Sequence, residues 1–182
     1  MHRAVVHLSD PAVRPTRPAP LYTPAQRARR DATPWTLVQG VLAPIQFLIF
    51  ALSLVLVLRF LITGQGHTAA ATSVVVKTLA LYAIMITGCI WEKVVFGRYL
   101  FAPAFFWEDV FSMLVLALHT AYLVAYGFDL LGDRALMLLA LAAYTTYAIN
   151  AAQFIVKLRA ARKQGSGTIA QPDATAWTER TA

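Results

Sequence analysis

The chain alternates between long uncharged runs and short polar intervals, and the runs are longer than the helices of a soluble core need. No Asp, Glu, Lys or Arg occurs from Ala32 to Leu58 or from Ala135 to Val156. A helix crosses the hydrocarbon layer of a bilayer with about 20 apolar residues. Two further apolar runs lie between, one interrupted by Lys77. The pattern predicts an all-α integral membrane protein with four transmembrane helices, near residues 35–60, 70–91, 110–128 and 135–156. Residues 1–20, with four prolines and no apolar periodicity, read as a disordered tail, and so do the polar residues 164–182. Residues 21–163 form the membrane domain.

Local signals mark the helix starts. Thr23-Pro24-Ala25-Gln26 has the form of a capping box with proline at the first helical position. The short helix it opens carries Arg27, Arg29 and Arg30, suited to lie along a headgroup surface. Thr33-Pro34 repeats the signal and starts the first span. Pro44 removes a backbone donor inside that span and predicts a kink near Gly40.

Composition agrees with a bilayer: 58% of the residues are hydrophobic and only 14% charged, against roughly 25% charged in soluble domains. The net charge is +7, and all of the 16 Lys and Arg except Arg59, Lys77 and Arg134 fall in the N-terminal tail, the second connector or the C-terminal tail. The positive-inside rule then places both termini and the second connector in the cytoplasm. Arg59 and Lys77 are expected to snorkel toward the opposite surface. The basic clusters border apolar spans, so membrane lipids are the expected partner and nucleic acid is not. Cys89 is the only cysteine, which excludes an intramolecular disulfide and a thiol-based metal site. No phosphate-binding glycine loop or nucleotide fingerprint occurs.

Candidate chemistry concentrates in the second connector, residues 89–111, where Glu92, Glu108, Asp109, Lys93 and Arg98 lie among aromatic rings. Glu92 follows Trp91, and Glu108-Asp109 follows Trp107, so each carboxylate is expected where water gives way to hydrocarbon. Partial desolvation there favours the protonated form, which a general acid requires, and the adjacent Glu108-Asp109 pair adds mutual repulsion. The same pattern also fits helix-terminal anchors neutralised by Lys93 and Arg98.

At 100° per residue, Glu108, Ser112, His119 and Tyr122 share one face of the third span, with His119 about 16 Å from Glu108 along the axis. An intramembrane histidine is either a ligand or an interhelical hydrogen-bonding group, with Tyr144 or Asn150 as a partner. A bis-histidine haem within one chain is excluded. Gln39 with Gln46, and Tyr147 with Asn150 and Gln153, read as interhelical contacts.

Several long motifs carry a family resemblance. These are Leu21-Tyr22-Thr23-Pro24 through Trp35-Thr36-Leu37-Val38-Gln39-Gly40, the segment Trp91-Glu92-Lys93-Val94-Val95-Phe96-Gly97-Arg98-Tyr99-Leu100-Phe101-Ala102-Pro103, the segment Phe106-Trp107-Glu108-Asp109-Val110-Phe111, and Asn150-Ala151-Ala152-Gln153-Phe154. Over about residues 21–162 the chain resembles the vinyl bacteriochlorophyllide hydratases. The resemblance implies a lyase of bacteriochlorophyll biosynthesis that adds water to the C3-vinyl group of a chlorophyllide-type pigment. It also implies a bacterial inner or intracytoplasmic membrane as the location.

That reaction needs a proton for the terminal vinyl carbon, a positioned water and a surface for a flat ring. Under this reading Glu108 or Asp109 is the acid, and Glu92 orients water or acts as the alternate acid–base group. Trp91, Tyr99, Phe105, Phe106 and Trp107 stack on the macrocycle, and Lys93 or Arg98 pairs with the pigment's free propionate. His119 is a candidate ligand to the pigment's magnesium, which belongs to the substrate; no cofactor of the protein's own is expected. Other pigment-synthesis enzymes are possible partners. The competing expectation is a non-enzymatic pigment carrier or assembly factor; a transporter is disfavoured by the lack of internal repeats.

Overall fold

The computed structural model describes residues 20–167, with side chains to residue 162, and every regular element among them is helical. A short helix α1 (Pro24–Ala32) precedes four long ones, α2 (Pro34–Thr63), α3 (His67–Phe96), α4 (Phe106–Gly127) and α5 (Asp133–Gly167). All four are long and apolar enough to cross a membrane, which makes this a multi-pass membrane protein. At 30 residues each, α2 and α3 extend about 45 Å, well past a hydrocarbon layer of ~30 Å. The expected tail residues 1–19 and 168–182 lie outside the described residues, while 164–167, assigned to the tail, continue α5.

The starts follow the sequence signals. The Thr23 side chain accepts from the Gln26 backbone N–H while the Gln26 side chain accepts from Thr23, and Pro24 occupies the first turn. Thr33 caps α2 ahead of Pro34, and α2 continues through Pro44. Gly64 and Gly66, both with positive φ, make the tight turn into α3, a geometry that suits residues lacking Cβ. Both remaining connectors are short, so what reads in sequence as a long aromatic loop is mostly helix. The turns beyond Trp91 belong to α3, α4 begins at Phe106, and only residues 97–105 are irregular.

The most extensive pairings are α2 with α3 and α4 with α5. Ala70, Ala71 and Ala140 are buried at the helix crossings beside Phe50, Val57, Val74, Met137 and Tyr144; small residues let helices approach closely where lipid gives no hydrophobic drive to associate. Leu37, Leu48, Ile62 and Val156 stay largely exposed, as expected of side chains solvated by acyl chains. Polar contacts tie the helices across the apolar core. Gln39 donates to Thr87 at 2.7 Å, Asn150 to Ser112 at 2.8 Å, and the Ser53 hydroxyl meets both Ser73 at 2.7 Å and Tyr144 at 2.5 Å.

Lys77 departs from expectation. It does not snorkel: its side chain is wholly buried among the helices, with the ammonium 3.8 Å from the centre of the Tyr147 ring. Lys77 lies about 15 Å along α3 from His67, too far from the helix end for its stem to reach that surface from an inward face. Arg59 is exposed as expected.

The Ser53 junction makes the α2–α3–α5 packing testable. Ser53→Ala leaves the buried Tyr144 hydroxyl without its partner and is expected to destabilise the solubilised protein by ~1–3 kcal/mol. Tyr144→Phe in the same variant should recover part of that loss. Equal melting temperatures for wild type and Ser53→Ala would show that the junction holds nothing together.

Candidate active site at the α3–α4 junction

The irregular residues between α3 and α4 bring two carboxyl groups together. Glu92 sits near the end of α3, and its Oε1 accepts from the Ala102 backbone N–H at 2.6 Å. Asp109, in the first turn of α4, accepts at Oδ2 from the Phe101 N–H at 2.8 Å. Two consecutive amides therefore hold two carboxyls separated by seventeen positions in sequence. Phe101 adopts φ 59°, the left-handed region that non-glycine residues seldom occupy. Successive N–H groups around such a residue turn toward one side and form a concave anion site. The two carboxyls are thereby brought close enough to influence each other. Two acids held this near each other disfavour double ionisation, which lets such a pair keep one proton between them.

Aromatic packing fixes the surroundings. Phe105, nearly fully buried, lies edge-on to Trp91 at 5.9 Å and to Phe96 at 5.8 Å, and stacks on Phe154 of α5 at 5.8 Å. Tyr22 closes the cluster from the N-terminal side, stacked on Phe96 at 5.7 Å. Burial pushes the Tyr22 phenol up, with the Arg30 guanidinium opposing, so it stays neutral. Arg29 locks α1 onto the end of α3 by donating twice to the Val95 carbonyl, at 3.0 and 2.8 Å. Trp91 donates its indole N–H to Thr36 of α2 at 2.9 Å. Phe106, Trp107 and Tyr99 point outward and present aromatic surface beside the loop.

Glu108 takes a different part from its neighbour. Its Oε2 pairs with the Lys157 ammonium of α5 at 2.5 Å, and Lys157 also lies 5.1 Å from the centre of the Phe105 ring. The alternative in which Lys93 and Arg98 neutralise the acidic residues is not realised among the described residues. Lys93 bends back to the Gly97 carbonyl at 3.0 Å and over Tyr99, and Arg98 is exposed. The reason is geometric: Lys93 follows Glu92 directly and so points about 100° away from it around the helix.

Comparison with known proteins now decides the family. The family described as 2-vinyl bacteriochlorophyllide hydratase (BCHF) matches residues 22–160. The chain belongs to the 2-vinyl bacteriochlorophyllide hydratase family. A relative named 2-vinyl bacteriochlorophyllide hydratase from Rhodobacter capsulatus is 66% identical over 152 residues, covering 84% of this chain and 88% of the relative. One of the same name from Cereibacter sphaeroides is 64% identical over 154 residues, covering 82% of this chain and 96% of the relative. No solved structure matches the chain.

In this member of the hydratase family the candidate residues fall into two groups. Glu92, Asp109, Glu108, Trp91 and Phe105 converge at the α3–α4 junction, with Tyr99, Phe106 and Trp107 on its outer side. His119 stands apart, about 15 Å further along α4 than Asp109. It shares the buried face with Glu108, Ser112 and Tyr122, as their spacing predicts. It hydrogen-bonds at Nδ1 with the Val115 carbonyl at 2.8 Å, and its ring packs 5.8 Å from that of Tyr144. Its Nε2 has no hydrogen-bond partner among the described residues.

Sequence reasoning missed Lys157, Tyr22, Phe96 and the paired amides of Phe101 and Ala102. Lys157 falls just past the expected end of the fourth span and reads there as one more tail cation. The signal that marks it is an acid at the start of one helix and a base at the end of its antiparallel neighbour.

Proposed function

We infer that this chain, like its named relatives, adds water across the vinyl substituent of a bacteriochlorophyllide-type pigment and so acts as a hydro-lyase in bacteriochlorophyll biosynthesis. The observation that carries the catalytic reading is the gathering of Glu92 and Asp109 on the consecutive amides of Phe101 and Ala102, read here as an acid pair that keeps one proton. Hydration of a vinyl group needs an acid and a base in turn, and such a pair offers both. The protonated partner gives its proton to the terminal vinyl carbon, forming the new C–H bond and leaving a cation on the adjacent carbon, conjugated into the macrocycle. Water attacks that carbon, and the carboxylate partner takes a proton from the attacking water. The product is a 1-hydroxyethyl group, and the pair again holds one proton.

The rest of the junction supports that cycle. The Phe101 and Ala102 amides fix both carboxyls whichever of them is ionised. Phe105, Trp91, Phe96 and Tyr22 wall off the apolar side, while Phe106, Trp107 and Tyr99 offer ring surface for the vinyl-bearing edge of the pigment. Glu108 is held as the partner of Lys157, so the proton donor is assigned to the Glu92–Asp109 pair. The vinyl-bearing edge of the pigment is assigned to the junction; His119 is enclosed by the helices, and ligation of the pigment's magnesium there would require the bundle to open.

Replacing either member of the pair separates hydratase from pigment carrier. Asp109→Asn and Glu92→Gln keep hydrogen-bonding capacity but remove the shared proton, and each is expected to lower hydration by ~10²–10⁴-fold, as for a lost positioned acid or base. Pigment binding, followed by pigment fluorescence, should change little. Undiminished turnover in both would remove the pair from the mechanism, and tight binding without hydration by the wild type would identify a carrier.

Orientation is the second expectation. The cation asymmetry supports an orientation with the α3–α4 junction and both termini in the cytoplasm, and the family resemblance supports the bacterial inner or intracytoplasmic membrane as the location. A reporter inserted after Gly97 should signal cytoplasm, and one inserted between Gly64 and Gly66 the opposite side. The reverse result would overturn the orientation.

A further inference from the structure

A groove of about 560 Å³ runs along α5 beside the start of α4, within the ~300–1,000 Å³ range of small-molecule sites. Its floor is one face of α5, where Ile149, Ala152 and Val156 recur at helical spacing, and the charged rim is formed by Glu108 and Lys157. Val156 is 67% exposed and Ile149 47% exposed, so the groove opens sideways toward the acyl chains as well as toward the membrane edge. Ala152 leaves the helix low enough for a flat body to lie against it. Gln153, one turn from Lys157, also lines the groove, and its Oε1 has no hydrogen-bond partner. Glu108 at the rim shares the first turn of α4 with Asp109, which faces about 100° away around the helix.

The charge at the rim selects the occupant. An ammonium has three donors, and among the described residues the acceptor that Lys157 meets is Glu108. It can therefore take a second carboxylate while keeping Glu108, and part of its side chain remains accessible, at 27% relative exposure. An apolar floor, an opening to the bilayer and one cation at the edge complement a flat hydrophobic acid. We propose that this groove is the docking site of the pigment, entered from the membrane, with the macrocycle on the Ile149–Val156 face and its free carboxylate on Lys157. This rests on the hydratase reading for the identity of the ligand and adds the site, the entry route and the residue that recognises the acid.

The test uses the full-length protein in zwitterionic detergent with two forms of one vinyl pigment, the free acid and its methyl ester. Wild type is expected to have a lower KM for the acid. Lys157→Gln should raise the KM for the acid about tenfold, the effect of ~1.4 kcal/mol. It should leave the KM for the ester and kcat for both forms within about twofold. Because Lys157→Gln leaves Glu108 unpaired, Glu108→Gln/Lys157→Gln is the companion variant and should show the same loss of acid preference. Glu108→Gln alone should strengthen the preference by removing the competing carboxylate. Equal KM values for acid and ester in the wild type, or the same rise for both in Lys157→Gln, would overturn the proposal. Binding measured by fluorescence keeps the two readings apart. If the wild type hydrates neither pigment yet binds the acid in a Lys157-dependent manner, the groove stands and the catalytic reading falls.

Discussion

Everything at the α3–α4 junction depends on one backbone conformation. With Phe101 in the left-handed region, two successive amides face the same way and bind Asp109 and Glu92 together. An extended residue there would aim those donors to opposite sides, and two acids would be left at a membrane edge without partners. A non-glycine residue held in such a conformation costs of order 1–3 kcal/mol and persists only where its surroundings over-determine it. Here they do: the Phe105 amide closes a turn back to Ala102 at 2.8 Å, the Phe101 ring packs on Phe106 at 5.8 Å, and the α3 and α4 ends fix the loop on both sides. Strain and anion cradle are one feature.

The membrane gives that feature its value. Helices longer than the bilayer core carry their ends into the headgroup layer, where an apolar ring and a charged group can be satisfied side by side. Glu92 and the Glu108-Asp109 pair sit at those ends, next to the aromatic cluster anchored by Phe105. Arg29 and Tyr22 add the N-terminal segment to the same cluster, so α1 is bound to the junction. Glu108 and Lys157 tie α4 to α5 at the same level. The site is thus assembled from α1, α3, α4 and α5, with α2 reaching it through the Thr36–Trp91 hydrogen bond.

Features that depend on neighbours along the chain were legible in the sequence. The four long helices follow from uncharged runs, the starts of α1 and α2 from Thr-Pro signals, and the shared face of Glu108, Ser112, His119 and Tyr122 from helical spacing. Glu92 and Asp109 were legible as candidates, and the motifs around them identified the family. What depends on how helices turn toward one another was not legible. Lys77 reads as a snorkelling surface cation and is buried, because periodicity gives a residue's angle on its own helix but not which neighbours cover it. Glu108 and Asp109 read as one acidic pair, yet they lie ~100° apart on α4 and meet different partners. Phe101 carries no mark of its left-handed backbone, since glycine is the residue that normally signals one.

The central claim is that Glu92 and Asp109 share one proton that the reaction spends and regains. Infrared difference spectroscopy of the resting protein at neutral pH, comparing wild type with Asp109→Asn and with Glu92→Gln, measures it directly. The account predicts a protonated-carboxyl carbonyl band in the wild type that shifts in deuterium oxide and changes position or intensity in each variant, because each substitution replaces one of the two carboxyls that share the proton. A wild-type spectrum with both groups as carboxylates, or a band unchanged by both substitutions, would contradict it.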